Sequence, residues 1–227
     1  MHRVFVFTYS ADYRHSYIVT AVEVLTRLGE RSRLFEVYAT EELEEFRRDR
    51  LRDFNALLFL TSGEVPFTEE QKELLIEFVE SGGGFIGVHN ATASLYSFTR
   101  YGEMLGAFFH SHPWIQEAVF IVEDRDHPST RHLHERIRVF DEIYVFRNWI
   151  GRSRAKVLIS LDTSSVDMSK APKEVSEFPI AWCRSYGKGR VFYTAFGHPT
   201  YRWREEWFQK HLLGGIAWVL GIEEALT

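Results

Sequence analysis

Short apolar runs alternate with amphipathic stretches through the first half of the chain. Residues 4–7, 34–38, 56–60 and 85–88 are each almost wholly apolar, the pattern of strands buried on both faces. Between the first two, Ile18, Val22, Leu25 and Leu28 recur at near-helical spacing, and Gly29 suits a C-terminal cap. Thr40 opens a charged stretch that reads as a solvated helix to Arg50. Thr68 and Gln71 fit a capping box for a helix to Val79, which Gly82-Gly83-Gly84 brings to a stop. In the second half, 118–122 and 156–161 read as strands with a polar segment between them. Residues 180–185 and 190–195 flank Tyr186-Gly187-Lys188-Gly189 as a hairpin, and a closing helix covers 205–220. Strands alternating with helices predict one doubly wound α/β domain over residues 1–227. It is a three-layer α/β/α sandwich of flavodoxin-like type with an open, mostly parallel sheet.

Composition narrows the partners. With 27 Lys and Arg against 32 Asp and Glu, the net charge of −5 offers no electrostatic footprint for nucleic acid. No apolar run approaches the roughly 18 residues of a membrane span, and the apolar start is too short for a signal peptide. A lone cysteine, Cys183, excludes an intrachain disulfide and a cysteine-based zinc cluster. These features fit a reducing, cytoplasmic setting.

In open α/β sheets, ligands bind beyond the carboxyl ends of the strands. Thr8, Tyr9 and His15 follow the first strand, Thr61 to Glu64 the third, His89 and Asn90 the fourth, and Gly197 and His198 the last. Topology therefore draws His15, His89 and His198 towards one edge. His2, His132, His134 and His211 read as surface or structural residues, and His127 begins a His-Pro turn. Gly82 to Gly84 precede their strand, the wrong side for a dinucleotide loop. If residues 109–113 are extended, His110 and His112 point the same way. With His89 and His198 in reach, that pair is a ligand set for zinc or a similar divalent metal.

Several motifs resemble the trehalose-utilisation (ThuA-like) family. They include Tyr13-Arg14-His15-Ser16, Gly82 to Ala91, Tyr101-Gly102-Glu103-Met104-Leu105-Gly106, His112-Pro113 and Asp126-His127-Pro128. Asp141-Glu142-Ile143-Tyr144, Pro179-Ile180-Ala181-Trp182 and Gly187 through His198 continue the match in order. The resemblance implies a fold similar to the class I glutamine amidotransferases and a role on a disaccharide or an oxidised, keto sugar. Its pattern adds His112 to the histidines drawn towards the ligand edge. It does not carry glutaminase chemistry across. His89 stands at the strand–turn elbow where those enzymes hold cysteine, and Thr200 stands where the orienting glutamate would follow His198-Pro199. Cys183 lies mid-strand.

The expected roles follow. His89 and His198 move protons, since imidazole titrates near neutral pH. Glu142 assists as base or as partner to a histidine; Asp141 beside it points to the opposite face if the segment is extended. Glu64 is a more distant carboxylate candidate. His15, Asn90 and Thr8 would bind substrate alongside the rings of Tyr144 and Trp114. Tyr9, Trp149, Tyr201 and Trp203 add to an aromatic share that suits a sugar face but equally a homo-oligomer interface. The competing classes are a non-catalytic sugar or small-ligand binding protein and an interaction subunit.

Overall fold

The computed structural model describes residues 1–226. Its parallel strands are β1 (His2–Phe7), β2 (Phe35–Thr40), β3 (Ala56–Phe59), β4 (Gly84–Val88) and, late in the chain, β9 (Gly189–Thr194). They are joined by β5 (Phe108–Val122), β6 (Arg136–Arg147), β7 (Lys156–Leu161) and β8 (Pro179–Tyr186), which pair antiparallel. All belong to one sheet in the order β2-β1-β3-β4-β9-β8-β7-β5-β6. The α/β class holds, and the sheet is parallel in its first half and antiparallel in its second. β1, β3 and β4 bury apolar side chains on both faces, as their apolar runs require. β2, the edge strand, buries only Phe35 and leaves Glu36 and Ala39 exposed, so the expectation of burial on both faces fails there.

Helices cover both faces. α1 (Ile18–Ser32) packs on β2 and touches α5 (Glu206–Leu220), while α3 (Glu69–Glu80) touches α4 (Thr99–Leu105). Two glycines of β4 show the layering, because successive strand residues face opposite sides. A Cβ on Gly84 would lie 2.1 Å from Val219 of α5, and one on Gly87 would lie 3.0 Å from Leu105 of α4. At Gly84 a side chain would force Val219 to move; at Gly87 the Leu105 side chain would have to give by a few tenths of an ångström. The capping box forms as read: Thr68 accepts from the Gln71 N–H, and Gln71 accepts from the Thr68 N–H. Among the described residues no helix is long and apolar enough to cross a membrane.

Two stretches differ from the sequence reading. The helix expected from Thr40 to Arg50 is a 3-10 turn at Leu43–Glu45 and a short α2 at Arg48–Leu51. Between them Phe46 is fully buried against Phe5, Phe7, Phe59 and Phe67, and a continuous solvated helix would not deliver it there. The strand expected at 118–122 is only the end of β5. β5 pairs with β7 over Phe120–Val122 alone, and from Phe108 onward its partner is β6. This two-stranded arm reaches the turn that follows β4 and brings β6, the outermost strand, to the middle of the sheet's carboxyl edge.

Candidate functional site

The site begins at the turn after β4. His89 has φ 48°, in the left-handed region, which costs a side-chain-bearing residue about 1–2 kcal/mol. Hydrogen bonds hold it there. The Tyr193 hydroxyl donates to the His89 carbonyl at 2.7 Å and lies 2.9 Å from Thr92 Oγ1, while the Tyr101 hydroxyl donates to the Ala91 carbonyl at 2.7 Å. The result is a sharp elbow that aims a fully buried imidazole past the end of the sheet. His89 Nδ1 lies 2.7 Å from the Ala195 carbonyl, which can only accept. The proton therefore sits on Nδ1, and Nε2 faces the site.

Around that nitrogen gather side chains from three other places. Glu142 Oε2, from β6, is 3.3 Å from His89 Nε2 and 3.2 Å from His198 Nδ1. The two imidazole nitrogens are themselves 3.3 Å apart. His15, from the loop after β1, closes the group: one ligand atom from each of His15, His89, Glu142 and His198 lies within 4.8 Å of all the others. His15 Nδ1 is buried and has no hydrogen-bond partner among the described residues. His112, half-exposed, meets the other oxygen of Glu142 at 3.6 Å.

Charge in the site is polarised. Burial alone would raise Glu142, but the His198 and His89 rings outweigh it and hold the carboxyl far below its ordinary range. His198 is raised by its bond to Glu142, against burial. His15 moves the other way, pushed down to about 3 by burial and by the facing His89 and His198. Asp141 is fully buried, which raises it against His89, the Gly197 N–H and Arg202. Its oxygens accept from the N–H groups of Gly197 at 3.1 Å and His198 at 3.2 Å.

Tyr144 forms a wall, its ring centroid 4.2 Å from that of His89 and 4.4 Å from Phe109. Asn90 is buried at the base. Its Oδ1 accepts from the Tyr17 hydroxyl, and its Nδ2 has no partner among the described residues. Tyr17 in turn stacks on Trp203 at 5.3 Å. Tyr17 and Phe109 were assigned no role from the sequence.

Other expected residues lie elsewhere. His110 is not beside His112 in the site: β-bulges between Phe109 and Trp114 break the alternation, and His110 Nε2 pairs with Glu174 at 3.0 Å. Trp114 is buried, its indole donating to the Asp167 carbonyl at 2.9 Å and its ring facing Phe178. The Thr8 hydroxyl donates to the Thr40 carbonyl at 3.3 Å, between neighbouring strand ends. Glu64 accepts from Ser97 N–H and hydroxyl at 2.8 and 2.9 Å, tying down the approach to α4.

Fold and site together define a three-layer α/β protein with a buried histidine–carboxylate cluster at the carboxyl edge of its sheet. The chain belongs to the ThuA family, described as trehalose utilisation, whose model matches residues 3–219. Solved structures agree in fold. A ThuA-like protein from Bacteroides uniformis aligns with TM-score 0.74 and 20% identity over 96% of this chain and 91% of that one. A ThuA-like protein from Parabacteroides merdae gives TM-score 0.74 and 20% identity over 96% and 90%. A β-galactosidase from Bacillus circulans sp. alkalophilus aligns with TM-score 0.56 and 12% identity, over 98% of this chain and 31% of that one. No curated protein matches the chain by sequence.

Proposed function

We propose that this protein is a sugar-processing enzyme of carbohydrate utilisation, acting on a disaccharide or its keto derivative at the His15, His89, Glu142 and His198 cluster. One observation carries the reading: four ionisable side chains from separate segments converge beyond the strand ends within 4.8 Å, where this fold class binds ligands. The family's description as trehalose utilisation supports a glucose disaccharide as the starting sugar. His89, His198 and Glu142 form the reacting centre, in which imidazole and an ionised carboxylate handle a proton on the sugar. Asn90 Nδ2 is a free donor for a sugar oxygen, and Tyr144 and Phe109 supply flat faces for its C–H groups. The elbow carries imidazole where glutaminase chemistry needs a thiolate, so glutamine is not the substrate. The single, buried cysteine suits a reducing cytoplasm.

The test is turnover of trehalose and of trehalose oxidised to a ketone at one ring carbon, followed by NMR. Wild type is expected to give product, and His89→Ala and Glu142→Gln to lose at least about 100-fold in rate. A thermal shift with sugar but no product in the wild type makes the protein a binder and overturns the reading.

A further inference from the structure

We infer that His89 Nε2, His198 Nδ1 and Glu142 Oε2 are the ligand face of a single divalent transition-metal site, with His15 on its fourth side. The inference rests on the cluster being the working site and goes beyond it by naming the ion that the side chains hold.

The distances carry the argument. The three atoms form a nearly equilateral triangle with edges of 3.3, 3.3 and 3.2 Å. Ligand atoms about 2.0–2.1 Å from a tetrahedral zinc stand about 3.3–3.4 Å from one another, so the triangle already has the dimensions of one face of such a site. As hydrogen bonds the same contacts are long, because N–H groups favour acceptors at about 2.9–3.0 Å. Two of the atoms are imidazole nitrogens and the third a carboxylate oxygen, a set that suits zinc and its neighbours.

The surroundings prepare the lone pairs. His89 Nδ1 is committed to the Ala195 carbonyl at 2.7 Å, which leaves Nε2 for the ion. His112 meets the outer oxygen of Glu142 at 3.6 Å and leaves the inner one facing the imidazoles. His15 Nδ1 is a buried polar atom without a partner among the described residues, an expensive arrangement in a metal-free pocket. His198 and His112 are the half-exposed members, so the open coordination position lies on their side. A sugar carbonyl with a neighbouring hydroxyl is the oxygen-rich group that position would take. The imidazoles and Glu142 would hold the ion, which would supply polarisation of a carbonyl bound there.

Untagged protein stripped with a chelator and titrated with zinc or manganese chloride tests the inference by calorimetry and by elemental analysis after desalting. One ion per chain is expected. Glu142→Gln and His198→Ala should each weaken binding by roughly 100-fold or more, and His15→Ala less, because it stands outside the triangle. His110→Ala, outside the cluster, should bind as wild type does. Cobalt(II) should give the intense visible absorption of a four-coordinate site, lost in His198→Ala. Circular dichroism melting of that half-exposed variant separates loss of ligand from loss of fold. No retained ion, or equal retention by wild type and His198→Ala, overturns the inference. Ion binding without product from the sugar panel removes the sugar reading and leaves the metal site; product from ion-free protein, unaffected by chelation, does the reverse.

Discussion

Asp141 accepts the backbone N–H of His198 at 3.2 Å, while its neighbour Glu142 meets the ring of the same histidine at 3.2 Å. Consecutive strand residues point to opposite faces, so β6 grips His198 by backbone and by side chain at once. Asp141 also accepts from Gly197 and lies 3.6 Å from the buried Arg202.

Asp141→Ala should therefore destabilise the protein by about 1–3 kcal/mol for each of the Gly197 and His198 N–H groups left without an acceptor, while Arg202 keeps Glu205 and the Phe140 carbonyl. Asp141→Asn keeps one acceptor oxygen and should fall between the two. Urea unfolding measures the difference. An alanine variant within about 0.5 kcal/mol of wild type, the range of an unremarkable surface change, would show that Asp141 has no such task.

His89 offers a second test, through its backbone. At φ 48° a Cβ is disfavoured, whereas glycine is not. Both His89→Ala and His89→Gly remove the ring and its bond to Ala195, so that loss cancels when they are compared. The glycine variant should be the more stable of the two, by up to about 1 kcal/mol once its greater unfolded-state freedom is counted. At an ordinary strand or helix position the order is reversed. Finding alanine the more stable would mean that the elbow relaxes when the ring is gone.

The parallel half of the sheet was legible because β1, β3 and β4 carry unbroken apolar runs and the residues that follow them fall at a ligand edge. That logic alone placed His15, His89 and His198 beside one another. The β5–β6 arm was not legible. Two bulges spoil the period-two alternation of Phe109 to Trp114, so His110 and His112 read as a pair although the chain sends them to Glu174 and Glu142. Glu142 could be picked out as a carboxylate in an extended segment, but not that an edge strand folds back over the sheet to deliver it. Asp141 read as the lesser of two acids, because its partners are backbone N–H groups 56 and 57 residues away. Tyr17, at the start of the helical pattern, gave no sign that its hydroxyl would reach Asn90 from just before α1.

Two histidines remote from the cluster add to the response to acid. His211, fully buried in α5, is pushed down to about 3, and His127 to about 4, in both cases chiefly by burial. Folded, they stay neutral at pH values where the unfolded chain, titrating near 6.5, takes up protons. The unfolded state then binds more protons, so stability is complete above about pH 6.5 and falls as pH drops towards 4 and 3. Each histidine contributes up to about 1.4 kcal/mol per pH unit in that window. Urea midpoints between pH 7 and 4.5 should show the decline, and His211→Gln should make it shallower. An unchanged slope in that variant would mean that His211 is protonated in the folded protein.

Glutamine hydrolysis, the activity that the resemblance to the amidotransferases raises, is not expected of this chain. The only thiol, Cys183, lies in β8, paired with Lys156 and Phe192, and is 3% exposed. Burial pushes it up to about 12, which keeps it a thiol at neutral pH, and access is closed as well. At the elbow, His89 presents an imidazole held by Ala195 rather than a nucleophile poised for acyl transfer. The expected result is no glutamine-dependent ammonia from wild type. Cys183→Ser should leave sugar turnover intact and lower stability by about 1–3 kcal/mol, the cost of burying a hydroxyl that lacks a partner. Ammonia release by the wild type that disappears in Cys183→Ser would overturn this account, because it would require the thiol to leave the sheet and reach a substrate.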